Sequence, residues 1–201
     1  MDSGFNLCEF DNEKRAEFGA IICGVDEAGR GPLAGDVYAA AVILPEEVII
    51  KGLDDSKKLT EKKREALFDE IIEKALDYVI AQASVAEIEE INILNSALLA
   101  MKRAVEGLKI KPDLALIDGD KKPLINLNCQ TVIKGDGLSA SIAAASVLAK
   151  VSRDREMLEM ARIYPQYMFE KHKGYGTKLH YEALREHGPC PIHRMSFLKK
   201  L

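Results

Sequence analysis

Two apolar segments joined by a glycine-rich turn constrain the fold more than any other part of the chain. Residues 20–28 read AIICGVDEA and residues 36–44 read DVYAAAVIL, and both are typical of buried β-strands. The connecting residues GRGPLAG contain the glycine and proline that mark a tight turn. The pattern therefore predicts a strand, a turn and a second strand that pairs antiparallel with the first.

The rest of the chain alternates shorter apolar runs with helical patterns. Three further strands are predicted at 78–85, 113–118 and 130–134. Apolar residues at steps of three and four predict helices at 60–76, 95–108 and 138–162, the first capped by Thr60 and the second stopped by Gly107. These elements predict an α/β fold, a mixed sheet of about five strands with flanking helices and a small helical C-terminal region.

Length and composition limit the domain organisation and the class of protein. The 201 residues are 47% hydrophobic, which suits one core, and we expect an N-terminal arm (1–18) and a single catalytic domain (19–201). A net charge of -4 marks no general nucleic-acid binder, so any such binding must come from local patches. The four cysteines show no CxxC pair, and no signal peptide or apolar run of membrane-spanning length is present. We therefore expect a cytoplasmic protein with reduced thiols.

The glycine-rich turn is a poor phosphate-binding loop. GVDEAGRG has Arg30 where the phosphate-loop pattern requires lysine and Gly31 where it requires a hydroxyl. Asp26 and Glu27 would also place negative charge among the backbone N–H groups that receive a phosphate. The loop is therefore expected to hold cations directly and to reach a phosphate only through them.

Four acids are expected to converge at strand ends. Asp26 and Glu27 follow the first predicted strand, Asp118 ends the fourth and Asp136 follows the fifth. Strand ends fix such groups rigidly where they meet solvent. An all-carboxylate set suits Mg2+ or Mn2+, and two such ions about 3.5 to 4 Å apart form the arrangement used for phosphoryl displacement.

Alternatives to this interpretation stay open from the residues alone. A single aspartate at a strand end is often a turn or cap residue, and Asp136 lies just before the long helix that it could cap. Neighbouring residues of a regular strand face opposite sides, so Asp26 and Glu27 can both turn inward only if the strand ends or bulges there, as Gly29 and Gly31 would allow. Other acids compete in polar loops: Asp54, Asp55 and Asp120.

With these motifs in view, the sequence resembles ribonuclease HII, the type 2 ribonuclease H. The shared segments include GVDEAGRGPLAGDVYAAAVIL, DDSKKLT, IDGD, KGDGLSASIAAASVLAKVSRDR, HKGYGT and HYEALREHGPCPIHRMSF, which run in order over most of the chain. The resemblance implies a ribonuclease H-like fold. It also implies metal-dependent hydrolysis of the RNA strand of RNA/DNA hybrids and incision at ribonucleotides embedded in DNA. The related ribonuclease HIII carries an extra N-terminal domain, for which residues 1–18 are too short.

The resemblance also assigns roles to residues. The metal-binding and catalytic acids fall on Asp26, Glu27, Asp118 and Asp136, with two Mg2+ or Mn2+ ions in the active complex. Gly29, Arg30 and Gly31 correspond to the element that contacts the ribose 2′-hydroxyl and nearby phosphates, and Tyr175 to the tyrosine that packs against the sugar. Met195 stands where a second basic residue is expected, and we expect no tail of the kind that some relatives use to bind a sliding clamp.

The remaining charged residues give weaker indications. Lys57 and Lys58, in a loop before a helix, are candidates for phosphate contacts. A two-metal reaction needs no histidine base, so the four histidines are expected to be structural or to contact nucleic acid. A non-catalytic binding module and a different metal-dependent nuclease are the competing functions. The expected partners are RNA/DNA hybrids and ribonucleotide-containing DNA duplexes, with no membrane, and the protein is expected to act as a monomer.

Overall fold

The computed structural model describes residues 7–53, 56 and 59–198. The predicted mixed five-stranded sheet with flanking helices is confirmed. In chain order, the helices and strands are α1 (Leu7–Phe18), β1 (Ile22–Ala28), β2 (Val37–Ile43), α2 (Glu61–Lys74), β3 (Asp77–Ala83), α3 (Val85–Glu106), β4 (Leu114–Asp118), β5 (Asn128–Val132), α4 (Ala140–Ile163), α5 (Phe169–His172) and α6 (Lys178–His187).

The sheet has the strand order β3-β2-β1-β4-β5. β1 pairs antiparallel with β2, as predicted, and β2 pairs antiparallel with β3. β4 lies parallel to β1, and β5 lies parallel to β4. The carboxyl ends of β1, β4 and β5 therefore lie at the same edge of the sheet.

Each face of the sheet packs against helices. The side chains of Cys23 and Val25 point to the face covered by α3. On the opposite face α4 lies directly on β1, because a Cβ atom at Gly24 would overlap the backbone of Ser141. The alanine-rich first half of α4 permits this close approach, since its small side chains keep the helix near the strands.

Two sequence predictions of helix ends are confirmed. Thr60 caps α2 and accepts a hydrogen bond from the Lys63 N–H, and Gly107 ends α3. The cap of α4 is Ser139, whose hydroxyl accepts a hydrogen bond from the Ile142 N–H at 3.1 Å. The alternative in which Asp136 caps this helix is therefore wrong.

The first helix is fastened to the fold by a buried carboxylate. Asp11 of α1 is only 1% exposed, and its Oδ2 accepts hydrogen bonds from the N–H and hydroxyl of Ser141 in α4. The proposed division into an arm (1–18) and a catalytic domain (19–201) stays a prediction. Within the described part of the chain, no helix is both long and apolar enough to cross a membrane.

Candidate active site

Asp26 and Glu27 lie inside β1 rather than after it. Ladder pairing with β2 continues through Asp26, Glu27 and Ala28, the last of which pairs with Tyr38. The predicted end or bulge of the strand at the two acids is therefore wrong. Because β1 is regular here, the two side chains point to opposite faces of the sheet.

Asp26 lies on the α4 face and is 4% exposed. Its Oδ1 accepts a hydrogen bond from the Glu27 N–H at 2.7 Å, and the hydroxyl of Ser146 in α4 also bonds to this carboxylate. Glu27, on the other face, forms an ion pair with Arg30, with 3.2 Å between Oε1 and Nη1. Residues 24–30 thus place one acid deep under a helix and one beside the exposed loop.

Asp118 lies next to Asp26 on the same face of the sheet. The parallel register pairs Val25 of β1 with Ile117 of β4, so the next residue along each strand is one of the two aspartates. The Oδ1 of Asp118 accepts a hydrogen bond from the Gly135 N–H at 2.7 Å. The parallel sheet therefore brings together two acids that are 92 positions apart in the sequence.

Asp136 belongs to the 3-10 turn Gly135–Gly137, not to the end of a strand. The last predicted strand, placed at 130–134, is observed at Asn128–Val132, two residues earlier. Asp136 is 6% exposed, and the hydrogen bond from Gly135 to Asp118 ties its turn to the neighbouring acid. The turn thus holds Asp136 at the same edge of the sheet as Asp118.

The electrostatics of this edge favour a cation. Burial, followed by the negative charges of Glu27 and then Asp118, raises the pKa of Asp26 well above its ordinary value. A divalent ion would relieve this repulsion, and a set of carboxylate oxygens suits a hard cation. Among the described residues, however, no three histidine, cysteine, aspartate or glutamate side chains form an assembled metal cluster. The acids fit a metal by charge and chemistry, and binding must draw their oxygens closer together.

The two glycines of the turn meet different surroundings. Gly29 has φ of +103°, and a Cβ atom there would overlap Nε and Cδ of Arg153 in α4. Gly31 has no such neighbour, because its Cβ would meet only Cε1 of Tyr175, at 3.7 Å. The backbone at Gly29 thus lies directly against a buried side chain, whereas Gly31 faces the Tyr175 ring across a narrow cleft.

Tyr175 lies across this cleft from the turn. Its side chain lines a cavity of about 170 Å³ together with Glu27, Gly31, Ser146 and Lys150. The Lys150 ammonium lies 5.7 Å from the centroid of the tyrosine ring, and Tyr175 is 42% exposed. An aromatic face beside an arginine-bearing turn can receive a sugar and its phosphate.

The predicted Lys57 and Lys58 lie outside the described residues, as do Asp54 and Asp55, whereas Asp120 is exposed and pairs with Lys121.

Three of the four histidines, His172, His180 and His193, form a separate buried cluster with Tyr167 and Phe169, whereas His187 is exposed. Nε2 of His180 and Nε2 of His193 are 2.9 Å apart, and Nδ1 of His180 hydrogen-bonds to the carbonyl oxygen of Tyr175. Burial lowers the pKa of each of these two imidazoles, so they are neutral at pH 7. These contacts favour a structural role, in which the cluster supports the loop that carries Tyr175.

Sequence reasoning missed four side chains around the cleft. Ser146 and Lys150 contact the first acid and the tyrosine ring, and Arg153 and Arg194 lie buried behind the turn. A sequence signal existed for Arg153, since a charged residue on the face of α4 that is otherwise built of small and apolar residues must have an internal partner. No local pattern marks Arg194, whose partners lie more than 150 positions away.

Similar proteins are known at the level of both sequence and structure. A protein-family model described as Ribonuclease HII matches residues 23–200. A Ribonuclease HII of Caldicellulosiruptor bescii is 56% identical over 196 residues, which cover 98% of this chain and 95% of that protein. The structure of ribonuclease H2 from Pyrococcus horikoshii OT3 has a TM-score of 0.73 and 28% identity, covering 88% of this chain and 93% of that one. The crystal structure of Bst-RNase HIII in complex with Mn2+ shares the fold, with a TM-score of 0.65 and 18% identity. The match covers 83% of this chain and 70% of that one.

Proposed function

The chain belongs to the ribonuclease HII family, and from this premise we propose that it incises DNA duplexes on the 5′ side of embedded ribonucleotides by a two-metal-ion mechanism. The family comprises metal-dependent endonucleases that act on RNA in RNA/DNA hybrids. The proposed reaction leaves 5′-phosphate and 3′-hydroxyl ends. Its proposed substrates are RNA/DNA hybrids and DNA duplexes that contain ribonucleotides.

The proposed metal ligands are the four acids, Asp26, Glu27, Asp118 and Asp136. Two Mg2+ or Mn2+ ions bound there would activate a water molecule and neutralise the charge that develops on the phosphate and the leaving 3′ oxygen. The chain's own contribution is to fix the carboxylates: β1 and β4 set the spacing of Asp26 and Asp118, and the Gly135 N–H orients the latter. No histidine base is needed for this chemistry.

The proposed substrate-reading residues lie on the other side of the cleft. Gly29, Arg30 and Gly31 are assigned to the ribose 2′-hydroxyl and the adjacent phosphate, and Tyr175 to the face of the sugar. Gly31 and the Tyr175 ring line the same cavity of about 170 Å³, which supports this assignment, since the backbone and the ring can both contact a sugar bound there. Arg30 is 51% exposed in its side chain and can leave Glu27 for a phosphate when a metal ion takes over that carboxylate.

One observation carries the proposal above the others. Asp26 and Asp118 occupy adjacent positions on neighbouring parallel strands, and burial together with their mutual repulsion raises the pKa of Asp26. A protein that only bound nucleic acid would gain nothing from like charges placed together under a helix. The pair is therefore best explained as a site for divalent cations.

The test compares Asp118→Asn with the matched control Asp120→Asn. Both variants remove one negative charge from the same loop region, but Asp120 is exposed and pairs only with Lys121 among the described residues. Incision is measured on an all-DNA duplex, a duplex with one ribonucleotide and an RNA/DNA hybrid, each with Mg2+, Mn2+ or EDTA. We expect Asp118→Asn to lose at least about 100-fold in kcat/KM, because even outer contacts of metal ligands contribute about 10- to 100-fold.

The control and the metal dependence decide the outcome. Asp120→Asn should cut at close to the wild-type rate, and the wild type should spare the all-DNA duplex. Mg2+ should raise the Tm of the wild type more than that of Asp118→Asn, since a ligand that binds the folded state stabilises it by mass action. Full activity of Asp118→Asn or of the wild type in EDTA would refute the mechanism, and a protein without any Mg2+ or Mn2+ response would be a non-catalytic binder.

A further inference from the structure

Two arginines have guanidinium groups that are completely buried. Arg153 of α4 and Arg194, which precedes the 3-10 turn Met195–Phe197, are both 0% exposed. Among the described residues, neither forms an ion pair within 4 Å, and both donate instead to backbone carbonyl oxygens. A buried charge that is not paired with a carboxylate is costly, so this arrangement calls for a reason beyond packing.

Arg194 gathers the carbonyl groups of the turn between β1 and β2. All three of its guanidinium nitrogens donate to this turn, and the shortest bonds are 2.6 and 2.7 Å long. The acceptors are the carbonyl oxygens of Gly29, Arg30, Pro32, Gly35 and Asp36. A planar group with five donors can satisfy such a ring of acceptors, whereas a lysine ammonium has only three.

Arg153 connects the same turn to the loop of Tyr175. Its Nη2 donates to the carbonyl oxygens of Ala34 and Lys173, each at 3.0 Å. Lys173 lies two residues before Tyr175, and the Arg153 guanidinium carbon lies 5.7 Å from the centroid of the tyrosine ring. The two segments that flank the cleft therefore share one buried side chain.

The glycines define an inner and an outer side of the turn. At Gly29 the backbone lies against the Arg153 side chain with no room for a Cβ atom, and at Gly31 it lines the cleft that it shares with Tyr175. Because the carbonyl oxygens point to the guanidinium groups inside, the outer side can present N–H groups and the Arg30 side chain to an anionic substrate. The shape of this outer side thus depends on the arginines behind it.

We propose that Arg194 and Arg153 are positioning residues for ribose recognition: they hold the backbone of residues 29–36 and the Tyr175 loop at the separation that a 2′-hydroxyl-bearing sugar requires. This inference rests on the proposed function. Burial, and then the positive charge of Arg153, lower the pKa of Arg194 to about 9, which leaves the guanidinium charged at neutral pH. Arg194 acts on the substrate through the backbone that it binds, and Arg153 acts through the backbone and through its contact with the Tyr175 ring.

The experiment uses Arg194→Lys and Arg153→Lys, with Arg162→Lys as the matched control. Arg162 is also in α4, but its side chain is 77% exposed and pairs with Glu159. Dissociation constants are measured for a duplex with one ribonucleotide and for the same duplex in all-DNA form, with Ca2+ as the divalent ion and uncut DNA verified. kcat/KM and the Mg2+ activation midpoint are measured on the ribonucleotide duplex, and the folded fraction by circular dichroism.

We expect Arg194→Lys to keep the wild-type Mg2+ activation midpoint and nearly the wild-type affinity for the all-DNA duplex. Its preference for the ribonucleotide duplex, given by the ratio of the two dissociation constants, should fall by about tenfold or more. That is a loss of at least about 1.4 kcal/mol of discrimination. Arg153→Lys should also reduce this ratio of dissociation constants, and Arg162→Lys should keep the wild-type ratio. A role limited to stability would reduce activity in proportion to the folded fraction and leave the ratio unchanged.

An unchanged ratio in both folded variants overturns the inference. So does the failure of both variants to fold, because the arginines would then serve the stability of the fold rather than the shape of the cleft. If only Arg194→Lys fails to fold, the ratio of dissociation constants measured for Arg153→Lys decides: a reduced ratio supports the inference and an unchanged ratio overturns it. If instead the wild type itself neither prefers nor incises the ribonucleotide duplex, the proposed function is what fails, and the two failures are therefore distinguishable.

Discussion

Replacing Gly29 by alanine should destabilise the protein far more than the same replacement at Gly31. The two glycines are separated by one residue in the same turn, yet only Gly29 has a positive φ, +103°, and only Gly29 backs onto Arg153. The comparison therefore separates conformational strain and steric overlap from the general effect of adding a methyl group to this turn.

The magnitude follows from two contributions. A side chain held in a sparsely populated region of φ and ψ costs of order 1–3 kcal/mol. The added Cβ must also displace Nε and Cδ of Arg153, and losing one of that guanidinium's hydrogen bonds to Ala34, Asp36 or Lys173 costs about 1.5–3 kcal/mol. Together these give about 2.5–6 kcal/mol, a large share of the 5–15 kcal/mol typical of a folded domain.

The assay is urea unfolding followed by circular dichroism at pH 7. Gly29→Ala should lower the free energy of unfolding by about 2.5–6 kcal/mol. Gly31→Ala should change it by less than about 1 kcal/mol, since φ at this position is not in the left-handed region and the added Cβ would make only ordinary van der Waals contact with Tyr175. Equal effects of the two substitutions would refute the reasoning, because they would show that Arg153 yields to the methyl group without loss.

Two pH-dependent changes in stability and one loss of a helix cap should also be measurable by urea unfolding. Burial, and then the charge of Asp36, raise the pKa of Glu156 to about 7. The folded protein therefore binds more protons than the unfolded chain between about pH 4.5 and 7, and it loses stability as the pH rises through this range. Glu156→Gln should for this reason stabilise the protein at pH 8 but not at pH 4.5. Burial lowers the pKa of His180 to about 4, so for this group the unfolded chain binds more protons than the folded protein. As the pH falls from 6.5 to 4, this group should lower the free energy of unfolding of the wild type by up to about 3 kcal/mol. His180→Asn should reduce this pH dependence. Ser84→Ala removes the hydroxyl that accepts a hydrogen bond from the Glu87 N–H at the start of α3, and it leaves the bond from the Ser84 backbone N–H to the Glu87 carboxylate in place. This should cost about 1 kcal/mol at every pH tested.

The sheet could be predicted from the sequence because its strands carry their own local signals. The run VYAAAVI in β2 is buried over almost its whole length, and the glycine turn before it fixed the antiparallel pairing with β1. β5 was placed two residues too late because only Val132 of its five residues is buried, so the strand has no clear apolar pattern. The order of β1, β4 and β5 depends on contacts between distant segments, and local periodicity does not contain it.

The acids were predictable in identity but not in orientation. Their position near apolar strands singled them out, yet whether Asp26 and Glu27 share a face depends on how far β2 continues to pair with β1, and the Ala28–Tyr38 pair decides this. The assignment of Gly29 to close approach of a sugar was also incomplete. The structure shows that a buried arginine requires that glycine, and no spacing within the turn could have shown it.

The proposed metal-binding acids and the proposed substrate-reading turn have separate supports, and this has a consequence for how the activity can fail. Asp26 and Asp118 are held by the parallel strands and by Ser146 and Gly135, whereas the turn is held by guanidinium groups that reach it from α4 and from the C-terminal part of the chain. Damage to the first support should remove cleavage of every substrate, since the metal chemistry is common to all of them. Damage to the second should leave that chemistry in place and remove the ability to distinguish ribose from deoxyribose, because discrimination depends only on differences in contact between the two sugars. The architecture thus predicts that catalytic power and sugar specificity can be separated by mutation.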